Sequence, residues 1–497
     1  MPAADIQSDE LPRSAWRRLA MPLILAAVTA LVCLDPYLSP VVPRRWWDKI
    51  WLADFPFRLT AVVLIAALAT RAALWANRRA GYYTVLFIFV LIGSAQISGF
   101  KLGFIDPLDV FTFMAFGIWL SEQFLRPKTP VVVPGILYFA ALLFIIDIPL
   151  FVHQGPVRFV IGFLGLLKVV LLTFVIVNII RSEQSVRLAV RVFIGVAVVS
   201  ALIGITQSML YHFAGIKFSL IDEFGNSETY LKATFLGVML RASGLNATVQ
   251  HLSGFLVLAL PFLMFRVLAA GGRERLKYLL GCAILLGGIV LSWNYTAFAA
   301  TFVVLALSPF VIWPQRALHI ILAMLVVALV LYYTGVFDWV YRVYLSDSGA
   351  FKGFGQRFTL MKFGFEKLAR DPWLGEGLRG FAGFSGNYWH RPVHNAYMQA
   401  ATEIGLLGAL VFVGMLLTML TQLLLQVRRA TPEAQQLLKP ALLGMIGLMS
   451  LMLGEPMLDH SNTWLYLGLA QSVVLLCNMR AHHFLARPVT DRSLVRS

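Results

Sequence analysis

Three arginines, one histidine and a short run of amides and hydroxyls are the residues of this chain with chemistry to offer. Arg241 stands in RASGLNATVQHLSGFL, Arg357 in KGFGQRFTLMKF and Arg379 in GEGLRGF, while His394 opens HNAYMQAATEIGLLGAL. Guanidinium groups grip carboxylate or phosphate oxygens through paired N–H donors. A lone imidazole exchanges a proton near neutral pH. The set suits an anionic substrate and one proton transfer. Asn395, Gln399 and Thr402 recur at helical spacing after His394. They make a polar strip on an apolar helix, and such strips are expected to line a wet cavity. Each residue also has a blander use: headgroup anchoring for an arginine, capping for the histidine, interhelical hydrogen bonding for the strip. The sequence has no HExxH, no paired His/Cys ligands, no GxSxG elbow and no glycine loop before a lysine, so metal chemistry and serine hydrolysis are unsupported.

Such residues need a scaffold, and composition says what kind. Of 497 residues, 59% are hydrophobic and 13% charged, with mean hydropathy +0.77. Those charges are too few to cover a soluble core of this size. Repeated apolar runs of roughly 18–24 residues match the thickness of a bilayer. Spans are expected near 19–34, 57–76, 82–100, 104–125, 131–152, 157–180, 186–210, 247–268, 277–292, 294–313, 317–335, 396–425, 437–456 and 461–481. The fold class is an all-α polytopic membrane protein of about 12–14 transmembrane helices. The long run from Lys277 to Trp313 is broken at Ser292-Trp293-Asn294-Tyr295, a polar and aromatic turn.

The net charge of +16 sits mostly in alternate short connections, for example Arg78/Arg79, Arg181/Arg187, Arg273/Arg275/Lys277 and Arg428/Arg429. This is the pattern of the positive-inside rule and puts both termini in the cytoplasm. No nucleic-acid-binding motif accompanies the charge. Cys33, Cys282 and Cys477 fall inside apolar runs and read as packing residues. The N-terminal apolar stretch is followed by Asp35-Pro36 rather than a small-residue cleavage site, so it reads as an uncleaved first helix. The chain divides into a cytoplasmic tail (1–18), an N-terminal bundle (19–210), a long outer loop (211–246), central helices (247–335), a larger outer loop (336–395), C-terminal helices (396–481) and a cytoplasmic tail (482–497).

In the larger loop Phe358, Met361, Phe365 and Leu368 repeat at helical spacing, with Lys362, Glu366, Lys367 and Arg370 on the other side. This predicts an amphipathic helix along the outer membrane–water boundary, stopped by Asp371-Pro372. Lys168 lies mid-span, with Asp147 as a partner by reach. Asp106 and Asp109 sit at a helix end. Glu455, Asp459 and His460 in GEPMLDHSN fall on the same side as the arginines and are candidates to line the same cavity.

The stretch HNAYMQAATEIGLLGAL resembles the His-Asn, then Glu-x-Gly-x-x-Gly signature of the O-antigen ligase and O-antigen polymerase superfamily. GQRFTLMKFGFEKLARDPWLGEGLRGF is similar to that family's arginine-bearing helix and Pro-x-x-Gly-x-Gly segment, and RASGLNATVQHLSGFLVLALP to its arginine-glycine stretch. The resemblance covers about 240–425. It implies a C-type glycosyltransferase in the bacterial inner membrane, with both long loops periplasmic. Such an enzyme moves a glycan from an undecaprenyl-pyrophosphate donor to lipid A–core or to a polysaccharide, inverting the anomeric centre, with no metal or other cofactor. His394 is then the catalytic base, Arg241, Arg357 and Arg379 hold the pyrophosphate, and Asn395, Gln399 and Thr402 line the cavity. Many members carry a Ser-Arg pair at a short turn that here reads SWNYTAFAAT, without arginine; Arg379 and Lys352 are candidates to replace it. The alternatives are a transporter or flippase for lipid-linked glycans, which would line a path across the whole bilayer with charge, and a membrane assembly or sensor protein, which would leave these residues scattered.

Overall fold

The computed structural model describes residues 79–93, 107–125, 131–147, 156–216, 231–234, 237–246, 248–335, 350–373, 375–387 and 391–485. The expected spans at 19–34 and 57–76, the first tail and Asp106 lie outside these. Two units are separately compact, one of residues 1–85 and 100–130, the other of 86–99 and 131–497. Helix α1 (Arg79–Gly93) begins in the first, which also holds α2 (Pro107–Leu125) with Asp109 in its first turn.

The second unit holds α3 (Gly135–Asp147), α4 (Pro156–Ile179), α5 (Glu183–Ala214), a hairpin of β1 (Leu231–Thr234) and β2 (Gly237–Leu240), α6 (Val249–Ala269), α7 (Gly272–Ser292), α8 (Tyr295–Ile312), α9 (Ala317–Tyr333), α10 (Ala350–Arg370), α11 (Ala396–Arg429), α12 (Pro432–Leu451) and α13 (Ser461–Leu485). Among the described residues six helices, α4 to α8 and α11, are long and apolar enough to cross a membrane. The chain is a multi-pass membrane protein. Each span expected between 131 and 485 meets a helix with nearly the same bounds. One short hairpin accompanies the helices: Leu231 pairs with Leu240 and Thr234 with Gly237 in antiparallel register. Its end is tied to α5, where the Ser208 hydroxyl donates to the Leu240 carbonyl at 2.7 Å.

Helix α6 is apolar all round and buried along nearly its whole length, as a helix surrounded by others must be. It packs on α5, α7 and α12, while α8 packs on α12, α13 on α4 and α11 on α3. Three polar groups inside this packing bond across helices. The Asn294 amide donates to Ser253 Oγ at 2.9 Å, Thr173 to the Trp464 carbonyl at 2.8 Å and Tyr466 to the Ala441 carbonyl at 2.6 Å.

Helix α11 is not continuous. Gly405 has φ 80° and ψ 173°, a backbone conformation open to glycine but not to residues with a Cβ. The interruption strands carbonyls that a regular helix would satisfy internally. The loop after α10 supplies the missing donors: Glu376 N–H to the Thr402 carbonyl at 2.9 Å, and Gly377 N–H to the Glu403 carbonyl at 2.7 Å. In return, Leu406 N–H donates to the Pro372 carbonyl at 3.0 Å. The approach is so close that a Cβ on Gly375 would lie 2.0 Å from the Glu403 carbonyl oxygen. On the other side of the loop, Leu378 and Arg379 lie against Gly162 and Gly165 of α4.

Helix α10 is amphipathic as expected, and a second apolar stripe packs inward. Leu360 and Phe363 are buried in a cluster with Phe381, Phe384 and Val393, and Gly364 lies against Met398 and Thr402. Phe358 and Phe365 are 69% and 58% exposed. With Met361, Lys362, Glu366 and Ala369 they line an open groove of about 430 Å³. The helix has two apolar faces because it has two surroundings, its own protein on one side and the exterior on the other.

Replacing Gly375 by Ala is expected to cost on the order of 3 kcal/mol, since the new methyl group meets backbone rather than a movable side chain. A lowered melting temperature of the detergent-solubilised protein, with unchanged membrane insertion, is the expected result.

Candidate active site

The sequence bends sharply at Ser292–Thr296, and this turn is the anvil on which two of the arginines rest. Helix α7 ends at Ser292, Trp293 adopts the left-handed conformation (φ 50°), and the Asn294 side chain caps α8 by accepting from Thr296 N–H. Arg241 follows β2 directly. Its neighbour Ala242 donates to the Leu291 carbonyl at 2.8 Å. The next residues are fastened to α5: Gln207 bonds the Gly244 backbone in both directions and Ser200 accepts from Leu245 N–H. With its backbone fixed, the Arg241 guanidinium donates from Nε to the Ser292 carbonyl at 3.0 Å and from Nη2 to the Trp293 carbonyl at 3.3 Å.

Arg357 reaches the same turn from α10. Its Nη1 donates to Thr296 Oγ1 at 2.8 Å and its Nη2 stands 3.4 Å from Glu455 Oε1. The other oxygen of that carboxylate, Oε2, stands 3.9 Å from Nδ1 of His394. Glu455 lies in the connection between α12 and α13, and its side chain is 5% exposed, against 26% for Arg357 and 25% for His394. Three segments far apart in sequence thus meet at one carboxylate. His394 is held there by its successor. Asn395 caps α11 by accepting from Met398 N–H and donates to the Leu453 carbonyl at 3.0 Å, while Ala396 N–H donates to the Met452 carbonyl at 2.8 Å.

Arg379 goes elsewhere. It adopts φ 63°, unusual for a residue with a side chain, and binds Asp459 through Nε at 2.6 Å and Nη2 at 2.5 Å. These are short charge-assisted contacts, whereas the Arg357–Glu455 contact is long. Arg379 is therefore the committed guanidinium and Arg357 the loosely held one. Around the Arg379–Asp459 pair stand Glu403, whose carboxylate receives the Arg379 backbone N–H, and His460, whose ring lies edge-on to His251 with centroids 4.6 Å apart. Burial holds the His460 ring below the usual imidazole range, with the Asp459 and Glu455 carboxylates pulling the other way. For Asp459 burial acts upward, but the Arg379 guanidinium and His460 outweigh it and keep the carboxyl below its usual range.

The polar strip differs from the cavity lining expected of it. Thr402 is fully buried and donates to the Met398 and Gln399 carbonyls. Gln399 is 3% exposed, faces the Glu403 carboxylate at 3.4 Å and accepts from Leu458 N–H at 3.3 Å. Asn395 is the cap just described. Asn395 and Gln399 hydrogen-bond to the segment that follows α12, and Thr402 bonds within its own helix. The Lys352 side chain lies outside the described residues. Asp147 is buried and receives the Leu378 backbone N–H, so it too helps seat the loop after α10. The residues that sequence reasoning undervalued are Glu455 and Thr296. Glu455 carried a faint signal, an acid beside Pro456 at a helix end. Thr296 carried none, because a hydroxyl at the start of an apolar helix is commonplace. No three His, Cys, Asp or Glu side chains among the described residues are arranged to hold a metal ion.

The His460 shift implies a pH effect with a definite sign. A folded chain that holds this imidazole neutral loses stability as pH falls below about 6.5, where the unfolded chain gains a proton the folded one refuses. Asp459 adds a second loss in the same direction below about pH 4. The melting temperature in detergent is expected to fall between pH 7 and pH 5, and His460→Gln to flatten that slope.

No curated protein matches the chain. A family model described as O-antigen ligase matches residues 280–413. That stretch runs from within α7 to within α11 and includes the Ser292–Thr296 turn, Arg357, Arg379 and His394; Arg241 and Glu455 lie outside it. Over residues 280–413 the chain is thus similar to the O-antigen ligase family.

Proposed function

We propose that the protein transfers a glycan from an undecaprenyl-pyrophosphate donor to a sugar hydroxyl on lipid A–core or on a polysaccharide, at the periplasmic face of the bacterial inner membrane. The observation that supports it is the meeting of Arg357 and His394 at one buried carboxylate, beside the turn that also seats Arg241. A transporter would need charge distributed along a crossing path. Two arginines at one turn with an adjoining imidazole suit a reaction at one end of the bundle.

The donor already carries a good leaving group. His394 takes the proton of the acceptor hydroxyl, and the oxygen's electron pair forms the new bond to the anomeric carbon. The bond from that carbon to phosphate oxygen breaks, and its pair leaves on the polyprenyl diphosphate. Attack from the face opposite the leaving group inverts the centre. The negative charge that gathers on the diphosphate is met by Arg357 and Arg241, placed beforehand in a setting with little water, where fixed cations stabilise most. The exposed stripe of α10, with Phe358 and Phe365 beside Lys362, suits a helix lying at the membrane boundary next to a lipid-linked donor. No step requires a metal ion.

Arg357→Ala and Arg241→Ala are each expected to lower transfer by about 10²–10³, and His394→Ala by about 10²–10⁴, with protein levels in the membrane unchanged. Surface polysaccharide resolved on a gel, from a deletion strain carrying each variant, reads the result. Full transfer by both arginine variants would remove the proposal. The same gel separates the two subclasses: unattached long chains in the deletion strain mark a ligase, and single-repeat products a polymerase.

A further inference from the structure

Glu455 faces both functional groups and is fully bonded to neither. Its 3.4 Å contact with Arg357 is at the edge of hydrogen bonding, and its 3.9 Å contact with His394 is beyond it. Nδ1 of His394 is buried and has no hydrogen-bond partner among the described residues. A buried carboxylate and a buried ring nitrogen left short of a bond are each costly, and the cost ends only when one of them moves. Arg357, by contrast, already has a second anchor in Thr296, so it does not depend on Glu455 for its place.

We infer that Glu455 is an exchangeable partner that couples donor binding to the readiness of the base. The inference rests on the reading of Arg357 as a diphosphate ligand and His394 as the base. With no donor present, the carboxylate offsets the Arg357 charge and stands off from the imidazole. A bound diphosphate takes over Arg357. The carboxylate then closes by about 1 Å onto the Nδ1–H of His394, reaching hydrogen-bond distance. That contact fixes the tautomer whose bare Nε2 accepts the hydroxyl proton, and it stabilises the imidazolium formed when the proton arrives. Glu455 touches the base and not the reacting atoms, so it is a positioning residue. The base is strengthened only when there is a donor to be attacked.

The arrangement makes binding and turnover respond in opposite directions. Glu455→Gln keeps the shape but removes the charge that competes with diphosphate for Arg357. The variant is expected to bind farnesyl diphosphate about fivefold more tightly than wild type, the low end of ordinary coupling between sites, with the full-length chain in nanodiscs. Glycan transfer by the same variant in the deletion strain is expected to fall at least tenfold, and Glu455→Asp to recover part of both effects. In an Arg357→Ala background, Glu455→Gln is expected to give no gain in affinity. Unchanged or weaker binding by Glu455→Gln, a gain that persists without Arg357, or undiminished transfer overturns the inference. A purely structural role would weaken binding and transfer together. Failure of the wild-type chain itself to bind farnesyl diphosphate, with Arg357→Ala no different, overturns the reading beneath the inference as well.

Discussion

A backbone carbonyl in an apolar setting must find a donor, and the rest of this structure is arranged around two that could not find one in their own helix. The break at Gly405 leaves the carbonyls of Thr402 and Glu403 outside the regular ladder, and the glycine-rich loop after α10 answers them with its own N–H groups. That loop is short and has no freedom to sit elsewhere. Its upstream end fixes α10 and so Arg357; its downstream end leads through Phe381 and Phe384 to the segment that presents His394. Lys367, buried on the inner face of α10, reinforces the same joint through Glu376 at 3.3 Å and Asp371 at 3.7 Å. The Arg357 and His394 side chains are thus positioned by a clasp that contains neither of them.

Charge at this end of the bundle is sorted by how tightly it is held. Arg379 and Asp459 form a short pair that ties the loop to the connection between α12 and α13. Half of the Arg379 side chain is exposed, so water screens this pair and its worth lies in geometry more than in stability. Arg357 is less exposed and less tightly paired. Arg241 donates to the Ser292 and Trp293 carbonyl oxygens, which orient its guanidinium. The turn at Ser292–Thr296, which holds no arginine of its own, offers two carbonyls and a hydroxyl to arginines that come from elsewhere.

Much of this was legible in the sequence. Apolar run length and the alternation of basic connections gave helix bounds close to those observed, because hydrocarbon thickness is a strong and simple constraint. The interruption at Ser292–Tyr295 was visible in its polar residues, and Arg357 and His394 were visible as expensive side chains beside apolar helices. What could not be read was partnership. Gln399 and Thr402 looked like the wall of a cavity because helical spacing reveals which residues share a face but not what covers that face. Glu455 and Asp459 are separated by three residues, yet one serves the Arg357–His394 pair and the other Arg379. The second apolar stripe of α10, with Leu360 and Phe363, stayed hidden for a related reason: a helix with two apolar faces offers periodicity no means of choosing between them.

The interruption in α11 has a mechanical side. Long membrane helices tilt as the bilayer around them thickens or thins, and a rigid rod 34 residues long would lever its far end through several ångströms at about 1.5 Å of rise per residue. Here the rod is jointed nine residues from its start, and the short upper piece is bolted to α12 and to the α10 loop instead of to the shaft below. A joint at that point lets the shaft tilt with the bilayer without carrying the upper piece along as a rigid rod would.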